Sequence, residues 1–182
     1  GAFDELRGES VNPVFFEGAT DEDVHTLVIR KLKEKVGGLA DKIHTGRSRN
    51  EQVSLDVRLW LRGEIDRTRG LLVDFLDTLL ALARKYSDAV IPGYTHLRRA
   101  QAVLWPHYIL AYFEMFQRDA GRFDDCLKRT DVMPLGSGAL AGVTYNIDRE
   151  FVARELGFSR VSQNSMDAVS DRDFVIEYEA AA

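Results

Sequence analysis

The stretch EQVSLDVRLWLRGEIDRTRGLLVDFLDTLLALARKY, residues 51–86, contains no proline and decides how the rest of the chain reads. Val53, Val57, Trp60, Leu61, Ile65, Leu72, Phe75, Leu76, Leu79, Leu80 and Ala83 recur at steps of three and four along it. That spacing lines apolar side chains along one side of an α-helix. Gly63 and Gly70 each weaken the helix by roughly 1 kcal/mol against alanine without breaking the rhythm. One helix over these residues runs about 54 Å at 1.5 Å per residue, well beyond the usual globular length. Its apolar stripe is too wide to be buried without neighbours, so it belongs to a bundle. The expected fold class is all-α, a bundle of long helices.

Upstream, Thr20-Asp21-Glu22-Asp23 reads as a helix start, with Thr20 as cap and acids in the first turn. Val24, Leu27, Val28 and Leu32 follow at helical spacing until Gly37-Gly38 ends the run. Downstream, a turn around Ile91-Pro92-Gly93 leads into a second helical stretch expected over 99–128, which Pro106 should start or kink. A glycine-rich loop, PLGSGALAG (134–142), precedes a short helix over 148–156 that stops at Gly157. A polar segment, QNSMDAVSDRD (163–173), leads into a last helix. No alternating strand pattern and no repeat is visible. The opening lacks clear periodicity, and the end falls inside a growing helix without a stop signal. The chain therefore reads as part of a longer polypeptide, with 1–47 closing an N-terminal helical domain and 48–182 beginning a central long-helix domain.

Composition narrows the function classes. The 182 residues are 45% hydrophobic and 29% charged, with a formal net charge of −5, ordinary for a soluble protein with a core. A nucleic-acid binder usually carries a basic domain or stripe, so no nucleic-acid partner is expected. No apolar run is long enough to cross a bilayer, so no membrane partner is expected either. The single cysteine, Cys126, rules out an internal disulfide and a cysteine-based zinc cluster and suits a reducing, cytoplasmic setting. It reads as a core filler.

Three polar loops interrupt the helices, and each is dense in hydrogen-bond donors. The first, His44-Thr45-Gly46-Arg47-Ser48-Arg49-Asn50, opens onto the longest helix. A helix N-terminus presents free N–H groups and about half a positive charge. The loop therefore reads either as a carboxylate or phosphate site or as a solvated cap. The second, Gly93-Tyr94-Thr95-His96-Leu97-Arg98-Arg99-Ala100-Gln101, carries a histidine suited to acid–base work near neutral pH or to a plain surface hydrogen bond. His25 and His107 lie on expected helices and read as structural. The third, 163–173, reads as a structural brace in which Arg172 supplies the counter-ion of Asp171 and Asp173. Its acids are not grouped with histidines at ligand spacing, so no metal is expected. PLGSGALAG lacks the Lys-Ser/Thr ending of a phosphate-binding P-loop and follows no strand.

Taken together, DEDVH at 21–25, DKIHTGRSRNEQV at 41–53, PGYTHLRRAQ at 92–101, PLGSGALAG at 134–142, IDREF at 147–151 and NSMDAVSDRDF at 164–174 resemble argininosuccinate lyases and their lens relatives, the delta-crystallins. The Thr-His…Ala-Gln pattern is shared more loosely with adenylosuccinate lyase, fumarase and aspartase. The resemblance implies reversible β-elimination of argininosuccinate to arginine and fumarate, with no cofactor. By its matches, Asn50 and Thr95 bind substrate and His96 is the acid–base residue. Arg47, Ser48 and Arg49 at the helix mouth suit the charge that builds on a carboxylate as the neighbouring proton leaves. Two positions depart from the family pattern: Arg98 stands where the family has Gln, and Ala102 where it has Pro. A cation at Arg98 would lower the pKa of His96. The family's catalytic serine loop lies downstream of the matched residues, so the 182-residue chain alone is expected to be inactive.

Helix geometry adds an expectation of its own. With Asn50 at the start of the long helix and Thr95 and His96 beyond its end, roughly 50 Å separate the two loops. A substrate of about 10–15 Å cannot touch both in one chain. If both loops act, they come from different subunits, and a homotetramer with shared sites is expected. The alternatives are a non-catalytic crystallin-like protein and an adenylosuccinate lyase-like enzyme.

Overall fold

The computed structural model describes residues 1–182. Its axis is α3 (Arg49–Lys85), one unbroken helix of 37 residues, about 55 Å long. Ser48 caps its start, and Arg84 and Lys85 in its last turn suit the negative end of the helix dipole. The next long helix, α4 (Trp105–Thr130), runs back along α3. Leu79 and Ala83 of α3 pack with Ile109 near the start of α4, whereas Leu61 and Ile65 pack with Phe123 and Cys126 near its end. Leu61, Ile65 and Phe174 are almost completely buried in this seam. Burying each such side chain stabilises the fold by about 1.5–3 kcal/mol. Cys126 is a core filler, as its isolation in the sequence suggested: it is free and buried, and burial pushes its thiol pKa up.

Before the axis lie α1 (Ala2–Ser10), α2 (Val24–Val36) and a 3-10 segment, Gly37–His44. They enclose their own core of Leu6, Phe15, Leu27, Leu32 and Ala40. The cap of α2 is Asp23, not Thr20. The Asp23 carboxylate accepts from both the backbone N–H and the hydroxyl of Thr26, at 2.8 and 2.9 Å. A charged acceptor outcompetes a neutral hydroxyl, and Asp21 is already engaged with Arg30.

The expected helix over 99–128 begins six residues late. Residues 98–104 form β2 (Arg98–Leu104), antiparallel to β1 (Val90–Thr95). Proline in a helix is best placed in the first turn, where no N–H is required, and Pro106 stands there in α4. The segment before it pairs across the hairpin instead. Both strands are largely exposed; with no face buried, the sequence has no reason to alternate. A second, two-residue parallel pairing joins β3 (Val132–Met133) to β4 (Arg160–Val161). The short helix expected over 148–156 is α5 (Arg149–Glu155), with Asp148 as its cap. The polar segment holds an unforeseen helix, α6 (Ser165–Ser170), capped by Asn164, and α7 (Asp173–Ala181) follows it.

Candidate functional site

The mouth of α3 is built by two adjacent side chains. Ser48 and Glu51 form a capping box: the Ser48 hydroxyl accepts from the Asn50 N–H at 3.3 Å, and Glu51 Oε1 accepts from the Ser48 N–H at 2.9 Å. The Glu51 side chain is fully buried. Its second oxygen accepts from the N–H of Gly138 in the glycine-rich loop at 2.8 Å. Next to it, Asn50 donates to the carbonyl of Ala139 at 3.1 Å. That loop requires its glycines. Gly138 has φ +62°, and a Cβ there would collide with the Gly142 carbonyl, while one on Gly136 would meet the Arg149 stem at 2.7 Å.

The third polar loop joins the same end. Ser165 donates to the carbonyl of Leu140 at 2.8 Å, and Ser54 of α3 donates to that of Ala168 at 2.9 Å. Asp171 is braced by Arg58 of α3 at 2.6 Å. Arg172 is not its counter-ion, because the Arg172 guanidinium turns to the carbonyls of Val169 and Asp171. Arg58 also donates to the carbonyls of Arg129 and Thr130 and lies 4.0 Å from the Phe174 ring centre. Burial pushes the Arg58 pKa down, and Asp171 opposes that shift.

Of the two loop arginines, Arg49 is paired with Asp23 and, at 3.5 Å, with Glu22. Arg47 is tethered through Nε to the Ile43 carbonyl at 2.7 Å. Behind them His44 stacks edge-on against His25 with ring centres 5.0 Å apart. Burial first, then the charges of His25 and Arg47, hold His44 below its ordinary pKa.

Thr95 and His96 stand at the other end of the α3/α4 pair. The hairpin springs from the last turn of α3 and feeds α4, and the Trp105 N–H closes its base on the Ala89 carbonyl at 2.7 Å. His96 and Leu97 form its two-residue tip, both with positive φ (49° and 61°). This turn geometry is normally taken by Asn-Gly. Leu97 is 98% exposed. The structure thus brings Arg47, Ser48, Arg49 and Asn50 to one pole with the glycine-rich and third loops, and leaves Thr95 and His96 about 50 Å away. An open cleft of about 760 Å³ beside α6 and α7 is lined by Arg58, Arg129, Asn164, Asp167 and Asp171 among others. None of the six site residues read from the sequence lines it.

Two contributors were missed in the sequence, Glu51 and Arg58. The Ser-x-x-Glu spacing of a capping box was the available signal for Glu51. Nothing local marks Arg58, whose partner lies 113 residues away.

Comparison with known proteins places this architecture. A family model described as Lyase matches residues 2–182. The argininosuccinate lyase of Solibacter usitatus (strain Ellin6076) is 63% identical over 177 residues, 97% of this chain and 38% of that protein. That of Caldanaerobacter subterraneus subsp. tengcongensis is 60% identical over 158 residues, 87% of this chain and 36% of that protein. The chain therefore spans little more than a third of the length of these relatives. Among solved structures, EDDS lyase in complex with formate superposes with a TM-score of 0.87 at 25% identity, over 99% of this chain and 35% of that one. β-Carboxy-cis,cis-muconate cycloisomerase from Acinetobacter calcoaceticus sp. ADP1 matches in fold alone, with a TM-score of 0.70 at 19% identity over 85% of this chain and 36% of that one. With its long-helix axis and its loops gathered at the mouth of α3, the chain belongs to the lyase family, in the fumarase/aspartase-like fold.

Proposed function

We propose that the complete protein carrying this chain is an argininosuccinate lyase that eliminates arginine from argininosuccinate to release fumarate. The observation that carries the reading is the 63% identity to a relative of that name over 97% of the chain. The reaction removes a proton beside a carboxylate, and the developing charge must meet donors already aimed at it. In this reading Asn50, Ser48 and Arg47 at the α3 mouth receive the succinate end, with Arg49 held beside them by Asp23. Thr95 binds substrate, and His96 serves in proton transfer. No cofactor takes part, since the substrate carboxylate accepts the charge itself.

Because the two loops lie at opposite poles of one chain, each site is shared between subunits of a homotetramer. The apolar residues that α3 leaves exposed here, Trp60, Leu71, Val73 and Phe75, pack between copies at its centre. The protein works in the cytoplasm. Residues 1–47, with their separate core, close an N-terminal domain, and residues 48–182 open the central bundle.

The test is to supply the complete protein with argininosuccinate and follow fumarate by its ultraviolet absorbance. Turnover above a no-protein control is expected. No turnover by a folded tetramer would favour the crystallin-like reading, and turnover of adenylosuccinate alone would favour that relative.

A further inference from the structure

We infer that Glu51 is a positioning residue that locks the mouth of α3 and the glycine-rich loop into one substrate-binding unit; this rests on the lyase reading above. A fully buried carboxylate is costly unless its oxygens are satisfied. Glu51 forms no salt bridge; its oxygens are met by the Ser48 N–H at 2.9 Å and the Gly138 N–H at 2.8 Å. These two donors lie on loops that are otherwise far apart in the chain. Arg149, held on the Leu135 and Ser162 carbonyls, feels the Glu51 charge without binding it.

An ionised carboxylate offers two acceptors and no donor, which is what two facing N–H groups require. A capping box alone uses only one of those oxygens. The other is spent on the loop that also fixes Asn50 through the Ala139 carbonyl. Glu51 and Asn50 therefore grip consecutive residues, Gly138 and Ala139, and releasing the first grip frees the second. Displacing a binding group by about 1 Å can cost on the order of 10²-fold in rate.

Glu51→Gln in the complete protein keeps the shape but sets an amide donor against one of the two N–H groups. The expected result is a rise in KM for argininosuccinate of about tenfold with kcat changed less, because Asn50 contacts the bound substrate, together with faster amide exchange at Ser48 and Gly138. Glu51→Asp keeps both acceptors on a shorter stem and should rescue most of the loss. It also carries the test, with a rise in KM of about threefold, if the Gln protein does not fold. Unchanged exchange at both amides overturns the clasp. Faster exchange with an unchanged KM overturns the positioning role and leaves a merely structural one. If wild-type protein releases no fumarate, the lyase reading falls, and exchange at the two amides alone decides the clasp.

Discussion

The two poles of the α3/α4 pair are made differently. At the N-terminal pole of α3, three loops from distant parts of the chain are cross-linked through Glu51, Asn50, Ser54 and Arg58, and Glu51, Ser54 and Arg58 are themselves buried. At the other pole a bare hairpin holds His96 and Leu97 in left-handed backbone, with Leu97 almost wholly in water. Left-handed conformation costs a non-glycine residue of order 1–3 kcal/mol and persists where surroundings enforce it. Within this chain the hairpin has few such surroundings. A pole that is knit together by its own chain is preorganised before any ligand arrives. The hairpin pole, with its left-handed tip exposed, has no such preorganisation from its own chain.

The sharpest way to break this contrast is complementation. In the complete protein, Asn50→Ala and His96→Asn should each be nearly inactive, the latter losing roughly 10²–10⁴-fold in kcat. Refolded together, they should regain part of the activity, since some shared sites then hold both intact residues. Hybrids that form and stay inactive would show that the poles do not meet.

The knit pole should also be the more fragile under substitution. Arg58→Met leaves Asp171 without its partner and frees the carbonyls of Arg129 and Thr130. Asp171 keeps some contact with water, so the cost comes from the acceptors left unsatisfied, about 1–3 kcal/mol, visible as a lowered thermal midpoint. Removing the Leu97 side chain with Leu97→Ala should leave that midpoint of the isolated chain unchanged. Equal losses would erase the distinction between the poles.

Smaller effects sharpen it. Arg98 faces Thr95 across the hairpin, one residue beyond the tip, so Arg98→Gln should change the rate of the complete protein severalfold. Identical rates for the two proteins would place Arg98 outside the site. The smallest expected effect lies behind the knit pole. His44 is held below its ordinary value of 6.5 by burial, then by His25 and Arg47 with a smaller push from Lys33, and only Asp41 opposes them. The folded state thus disfavours the protonated ring. Its contribution to stability is complete above pH 6.5 and is lost as pH falls through the lowered folded value. Thermal midpoints between pH 7.5 and 5 should fall more steeply for wild type than for His44→Asn.

The sequence by itself determined the long helix, the glycine-rich turn and the polar loops, and it identified the family. Each is a local property: apolar spacing over residues 51–86 repeats with the helix period, and glycine or a cap residue acts on its immediate neighbours. Distance along a regular helix also made the separation of Asn50 from His96 legible. Only the tertiary structure decided the rest. The hairpin escaped because strands exposed on both faces carry no alternation. Asp171 looked self-paired with Arg172 because sequence shows only neighbours, yet the carboxylate found Arg58, 113 residues away. Glu51 drew no notice in the sequence, because its second donor, Gly138, lies 87 residues on. A buried charge must be satisfied by whichever groups the fold brings to it, and that is settled by packing in three dimensions rather than by the order of residues.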